Sequence, residues 1–438
     1  MVRRVEVAEI VLWNRVIGAI AWDADKGYAH FEYAPEFLRS RIQLAPLTMP
    51  LPAQKSGAGI FSFPQLSRVT YHGMPGLIAD SLPDKFGNAI IDQWLVRQGR
   101  APDSFTPVER LCYIGYRGMG ALEYKPAIKR IAGASVPLEL DALVELADRV
   151  LNRQTTLQGE ADELDELIRV GTSAAGARAK AVIAWNPRTN KIRSGQVMAP
   201  KGYEYWLLKF DGVGNRDKEL TDPTGYGKIE YAYYLMATAA GIEMSQSRLH
   251  EEHGRHHFMT KRFDRIEGQD QFNYKLHMQS LCALAHYDFN LAGGYGYEQA
   301  LAVMQQLKLP MPRLAQLYRR AVFNIVARNQ DDHTKNIAFL MDKRGQWELA
   351  PAFDLTYAYN PEGQWTGQHQ MTLNGKQDNF SPEDLYIPAR QFRIPKCEQI
   401  VEEVLQTVSQ WRTYAQQAGV DGKMIEQIAK THRLRLTG

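Results

Sequence analysis

Residues 329–336 read Asn329-Gln330-Asp331-Asp332-His333-Thr334-Lys335-Asn336, and residues 351–356 read Pro351-Ala352-Phe353-Asp354-Leu355-Thr356. Moving a phosphoryl group from ATP needs a carboxylate beside the attacking hydroxyl, with an amide and a second carboxylate to hold magnesium against the phosphates. Asp331 offers the first carboxylate, and Asn336, five residues on, and Asp354 offer the other two groups. A helix-like apolar run over 314–326 leads into the first segment, and strand-like runs over 337–340 and 347–349 join it to the second. The same residues also fit a polar turn, rich in Asp and Asn, that caps a helix.

Protein kinases keep the same Asp-to-Asn spacing in their catalytic loop, and Asp-Leu-Thr can stand where they carry Asp-Phe-Gly. Together the two segments resemble the HipA family, the serine/threonine-kinase toxins of bacterial toxin–antitoxin modules. The resemblance recurs along most of the chain. Residues 75–84 (Pro-Gly-Leu-Ile-Ala-Asp-Ser-Leu-Pro-Asp) and 117–122 (Arg-Gly-Met-Gly-Ala-Leu) resemble the family's N-terminal domain, and residues 173–180 (Ser-Ala-Ala-Gly-Ala-Arg-Ala-Lys) and 261–265 (Lys-Arg-Phe-Asp-Arg) its nucleotide-binding half.

The resemblance implies an α+β, protein-kinase-like fold with a mixed α/β N-terminal half and an all-helical C-terminal lobe. The implied divisions are an N-terminal domain over 1–127, a helical connector over 128–170, the nucleotide-binding part of the core over 171–265, and a helical lobe with the catalytic loop over 266–438. ATP and Mg2+ follow as cofactors. The implied partners are a protein substrate, aminoacyl-tRNA synthetases being targets of relatives, and a small DNA-binding antitoxin of the HipB type, through which alone nucleic acid is reached.

Residue by residue, the resemblance makes Asp331 the group that orients or deprotonates the substrate hydroxyl, and His333 a contact to nucleotide or a brace for Asp331. Asn336 and Asp354 would hold magnesium. Ser173, Ala174, Ala175, Gly176, Ala177, Arg178 and Lys180 would form the loop over the phosphates, Lys209 would grip them, and the backbone of Lys261, Arg262 and Phe263 would hold the adenine. Ser173 falls where relatives carry a serine that they phosphorylate in themselves. Ala175 departs from the second glycine of many relatives, which bears on the shape of that loop. Without the resemblance, the small residues before the strand-like run 180–185 fit either a phosphate loop or a plain turn. Lys209, the one cation in the apolar strand-like run 203–210, needs an anionic partner, either a carboxylate or the nucleotide phosphates.

Two other functions remain open. A small-molecule kinase of the aminoglycoside-phosphotransferase type shares the Asp-to-Asn spacing, but such enzymes place a His before the catalytic Asp, whereas His333 follows Asp331. A catalytically silent regulatory subunit of an antitoxin–DNA complex is the other, and the presence of Asp331, Asn336, Asp354 and Lys209 argues against it.

With 438 residues the chain can bury a sizeable core, which suggests two domains or lobes. Its composition, 45% hydrophobic and 23% charged, is that of a soluble globular protein. Lys plus Arg number 52 against 49 Asp plus Glu, so net charge does not argue for nucleic acid. Cys112, Cys282 and Cys397, without metal-ligand spacing, suit a reducing cytoplasm. Glu6 and Glu9 interrupt any signal-peptide core, and no apolar run reaches the roughly 18 residues of a membrane span. The expectation is a soluble, cytoplasmic protein.

Along the chain, alternation over 6–34 predicts strands joined by turns, and Phe86, Ile90, Ile91, Trp94 and Leu95 predict a helix with one buried face. Gly115, Gly118 and Gly120 predict a packed turn, since no Lys-Ser/Thr follows them. Helical patterns cover 138–151 and 160–170. The histidines at 250, 253, 256 and 257 lack the helical zinc-motif spacing and predict a hairpin around Gly254 with exposed histidines. Helices are expected over 297–307, 314–326, 395–417 and 421–434, with a turn at 360–363.

Overall fold

The computed structural model describes residues 4–52, 59–128, 135, 137–152, 168, 171, 178–213, 225–266 and 274–436. The chain forms two compact units. One takes Met1–Thr224, His250–Gln279 and Met341–Gln346, and the other takes Gly225–Leu249, Ser280–Leu340 and Trp347–Gly438.

In the first unit, the predicted alternation becomes β1 (Val7–Leu12), β2 (Arg15–Asp23) and β3 (Tyr28–Tyr33), antiparallel neighbours with Ile10 opposite Gly18 and Ile20 opposite Phe31. With β4 (Ile60–Phe61) and β5 (Leu122–Lys125) they make a sheet of order β4-β3-β2-β1-β5. Gly18 is required there, because an added Cβ would lie 2.3 Å from the Glu32 carbonyl oxygen.

Asp84 caps α1 (Lys85–Arg97), its side chain accepting from the Gly87 amide at 2.6 Å. Phe86, Ile90, Ile91, Trp94 and Leu95 all come to the buried face, as their helical spacing requires. Thr106 and Glu109 form a capping box at the start of α2 (Pro107–Ile114). The glycine-rich turn that follows is packed: the Gly120 amide donates to Asp264 Oδ2 at 2.7 Å, and an added Cβ there would meet Met278 N at 3.0 Å.

Next come α3 (Leu140–Asn152), β6 (Lys180–Trp185), β7 (Ile192–Ser194), β8 (Glu204–Lys209), β9 (Ser247–Glu252) and β10 (Arg255–Lys261). The strands form a second sheet of order β7-β6-β8-β10-β9. β6 is buried along its whole length, and Trp94, Tyr113, Leu143, Trp206 and Met259 join it in one apolar core. β11 (Arg265–Ile266) and β12 (Tyr274–Lys275) form a small ribbon.

The hairpin at Gly254 is present, but not all its histidines are exposed. His253, in the turn, is exposed, whereas His250 and His257, within the packed strands β9 and β10, are 7% and 0% exposed. The Asp211 amide donates to His257 Nδ1 at 3.0 Å, and burial pushes that imidazole down to about 4, so it is neutral at pH 7. Among the described residues no group of three or more His, Cys, Asp and Glu side chains could hold a metal ion.

The second unit is mostly helical: α4 (Tyr226–Ala239), α5 (Tyr297–Gln306), α6 (Met311–Val326), α7 (Pro382–Gln391), α8 (Cys397–Ser409), α9 (Trp411–Gln417) and α10 (Gly422–Ala429). It also contains strand β13 (Ala338–Met341), all but its last residue, and its neighbour β14 (Trp347–Leu349), as the strand-like runs between the two motif segments predict. α7 is not among the predicted helices, because Pro388 interrupts its pattern; a Ser381/Asp384 capping box starts it. The predicted run 395–417 divides at Gln410 into α8 and α9. Among the described residues no helix is long and apolar enough to cross a membrane.

Asp264 is a buried, heavily bonded carboxylate of the first unit. It is 0% exposed and accepts from Arg262 Nη2 at 2.7 Å, Arg265 Nη1 at 2.5 Å and the Gly120 amide at 2.7 Å. Burial opposes its ionisation, but the two guanidinium charges outweigh burial and hold the carboxyl well below the usual carboxylate range. A depressed folded-state pKa contributes stability above the unfolded value of about 4, lost as pH falls through the lower folded value. Asp264→Asn should therefore cost about 3 to 5 kcal/mol at neutral pH. In urea titrations the gap between parent and variant should narrow as pH falls below about 4; a gap that widens there would refute this reading.

Candidate active site

α6 delivers the chain to the loop. Its end is marked by Arg328 at φ +59, after which Asn329 and Gln330 are buried, with the Asn329 amide donating to Asn324 O at 3.0 Å and the Gln330 amide to Ala358 O at 2.9 Å. The two aspartates that follow are chain neighbours whose side chains meet opposite surroundings. The Asp331 side chain is 41% exposed and that of Asp332 is 1% exposed.

Asp332 turns inward. Its carboxylate accepts from Tyr297 Oη (2.9 Å), His369 Nδ1 (2.9 Å) and the Gln370 amide (2.8 Å). Burial opposes ionisation, but the hydrogen bonds from His369, the Gln370 amide and Tyr297 prevail and lower its pKa. Burial and then the Asp332 charge push the Tyr297 hydroxyl well above 10, so it remains a donor. Asn324 Nδ2 donates to Tyr297 Oη and Asn329 Nδ2 to Asn324 Oδ1, both at 2.9 Å, which ties α5, α6 and the loop into one buried polar network.

Asp331 turns outward. Trp365 Nε1 donates to its Oδ1 at 2.5 Å, and Asn336 Nδ2 donates to its backbone oxygen at 2.8 Å. His333 Nε2 lies 3.7 Å from Oδ1, its ring 5.3 Å from that of Phe289 and 6.1 Å from that of Trp365. Asn336 closes a short 3-10 turn, Thr334–Asn336, whose Thr334 hydroxyl donates to Tyr287 O at 2.7 Å. Because Nδ2 of Asn336 is bonded to Asp331, its Oδ1 is the group left to meet a hard cation.

Asp354 follows β14 at φ +53, a left-handed conformation that Asp tolerates better than most residues. A hollow of about 20 Å³ is lined by Asn329, Asp332, His333 and Asn336 from the loop and by Phe353 and Leu355, the neighbours of Asp354. The two motif segments therefore border the same space. The oxygen donors Asn336 Oδ1 and the Asp354 carboxylate fit magnesium, which takes few protein ligands and completes its shell with phosphates and water.

The other predicted site residues that the structure describes lie in the first unit. Lys209 ends β8, opposite Lys180 on β6 and Phe258 on β10, with Nζ 5.8 Å from the Phe258 ring. Lys180 is buried, its Nζ 3.5 Å from Asp84 Oδ2. Arg178 is half-buried. Lys261 pairs with Glu204 at 2.9 Å, and Arg262 commits its side chain to Asp264 and its amide to Tyr205 O at 2.9 Å; Phe263 follows in a turn. Ser173, Ala174, Ala175, Gly176 and Ala177 lie outside the described residues, as does most of the predicted helix over 160–170.

Trp365, Tyr297, His369 and Gln370 were not among the predicted site residues. They lie far from the loop in sequence, and no spacing in the sequence marks them.

A five-stranded sheet carrying Lys180 and Lys209 and a mostly helical unit carrying the Asp331–Asn336 loop make a kinase-like α+β fold. Family models for the HipA N-terminal domain and the HipA-like C-terminal domain match residues 8–125 and 172–429. The chain belongs to the HipA family. It is similar to the "Putative kinase Y4mE" of Sinorhizobium fredii, 28% identical over 142 residues, and this match spans 30% of the chain but only 34% of that relative. The chain is also similar to one in a solved complex of the Shewanella oneidensis MR-1 toxin–antitoxin system, HipA and HipB with operator DNA. There the TM-score is 0.66 at 15% identity, covering 97% of this chain and 94% of the other, a likeness of fold.

The opposite orientations of the two aspartates predict opposite consequences. Asp332→Ala strands the buried Tyr297, His369 and Gln370 donors and should lower unfolding free energy by about 3 kcal/mol or more. Asp331→Ala should change it by no more than about 1 kcal/mol, as is usual away from buried networks. Equal losses in urea unfolding would contradict this division.

Proposed function

We propose that the protein is an ATP-dependent serine/threonine protein kinase. The observation that carries the proposal is Asp331: a solvent-reachable carboxylate, held at Oδ1 by Trp365 and at its backbone oxygen by the Asn that stands five residues on. With Oδ1 engaged, Oδ2 accepts the hydrogen bond of a substrate hydroxyl and takes its proton as the oxygen attacks the γ-phosphorus of ATP. The new O–P bond forms as the bond to the ADP oxygen breaks. Asn336 and Asp354 hold magnesium, which when bound neutralises phosphate charge. His333 braces Asp331 or contacts nucleotide. Lys209, Lys180, Arg178 and the loop 173–177 bind phosphates, and the backbone over 261–263 binds adenine.

The domain divisions proposed from sequence, at 127, 170 and 265, go with this reading. So do a cytoplasmic location, a HipB-like DNA-binding antitoxin as partner and a protein substrate. The solved HipA–HipB–DNA complex with a similar chain supports the antitoxin partner. Ser173 is proposed to be phosphorylated by the chain itself. A phosphate there adds about −1.5 to −2 charges where ATP phosphates would sit, so modification switches the kinase off.

In a thermal-shift titration, magnesium-ATP at a hundred times its dissociation constant should stabilise the parent by about 2.7 kcal/mol. Asp354→Ala should lose the magnesium-dependent part, and unchanged magnesium-ATP affinity in that variant would remove Asp354 from the site. Mass spectrometry after incubation with magnesium-ATP should find phosphate on Ser173; unmodified Ser173, or a Ser173→Asp variant binding ATP as tightly as the parent, would overturn autoregulation.

A further inference from the structure

Beyond α10 the chain returns to the loop. Arg328 Nε donates to Thr431 O at 2.8 Å, and the Arg433 amide donates to Val326 O, the last residue of α6, at 2.9 Å. The Arg433 side chain is 8% exposed. It donates to Ile325 O at 2.9 Å, to His369 Nε2 at 2.8 Å and to Asp378. The Phe380 ring lies 5.5 Å from the guanidinium.

A guanidinium has five donors and no acceptor. His369 Nε2 must therefore present its lone pair to Arg433, and the ring proton must sit on Nδ1, the nitrogen 2.9 Å from Asp332 Oδ2. The opposite tautomer would point two donors at each other and a lone pair at a carboxylate. Arg433 thus selects the form of His369 that gives Asp332 its third donor, beside Tyr297 and the Gln370 amide.

We infer that Arg433 is a positioning residue for Asp331, acting through the tautomer of His369 and the carboxylate of Asp332. The role rests on Asp331 being the catalytic base. Asp331 is bonded directly to Asp332 along the chain, so a tilt of the buried carboxylate turns the exposed one, and misplacement by about 1 Å can cost about a hundredfold in rate. The groups Arg433 bonds are not ones assigned to substrate or nucleotide. Its contribution is the aim of Asp331 and not the binding of nucleotide.

Ring-nitrogen NMR of the ligand-free parent should show His369 protonated at Nδ1 with a hydrogen-bonded lone pair at Nε2; protonation at Nε2 would overturn the inference. Arg433→Met should erase that pattern and shift the Trp365 indole N–H resonance, the reporter of Asp331 orientation. Arg433→Lys, which keeps one donor group, should restore it in part. In phosphoryl-transfer assays Arg433→Met should lower kcat by about a hundredfold with KM for ATP unchanged. A variant with the parental indole resonance, or one whose loss appears only in KM, would contradict the role. Should the parent transfer no phosphate at all, the kinase reading fails, while the two resonances still decide whether Arg433 sets the loop.

Discussion

The candidate site depends on one buried charge. The Asp332 side chain is 1% exposed, and an ionised carboxylate there would be prohibitively costly without donors in place. Three donors surround it: the Tyr297 hydroxyl on α5, His369 Nδ1 and the Gln370 amide. Their positions are set in turn by Asn324 on α6 and by Arg433 beyond α10. Helices distant in sequence are thereby drawn to one point, and the residue before that point, Asp331, is left projecting outward on a rigid support. A flexible loop could carry the same residues but would leave the carboxylate without a direction.

The first unit uses the same physics for a different end. Asp264 gathers Arg262, Arg265 and the Gly120 amide, fastening the glycine-rich turn to the segment after β10. Asp84 caps α1 and also faces Lys180 at the start of β6. Lys180 and Lys209 then stand opposite one another on neighbouring strands. Lys180 already meets the Asp84 carboxylate, while the Lys209 ammonium lies 5.8 Å from the Phe258 ring.

Much of the fold was legible in the sequence because the signals were local. β6 and β8 follow from continuous apolar runs, the buried face of α1 from helical periodicity, and the Gly254 hairpin from its turn residue. What was missed needed tertiary knowledge. α7 is obscured by Pro388, and the burial of His250 and His257 depends on what covers the strand. In the site, the motif named Asp331, Asn336 and Asp354, yet adjacent Asp331 and Asp332 are equivalent as letters. Only the surroundings assign one outward and one inward. Trp365 lay in a stretch readable only as a turn, because its bond to Asp331 spans 34 residues.

The central claim is that the outward carboxylate does chemistry and the inward one holds it in place. The most direct measurement is single-turnover phosphoryl transfer by an Asp331→Asn variant, made alongside its magnesium-ATP affinity. General-base chemistry predicts that transfer falls by about 10²- to 10⁴-fold while affinity stays at the parental value. Transfer at the parental rate, or a loss that disappears at saturating magnesium-ATP, would show that Asp331 is not the base.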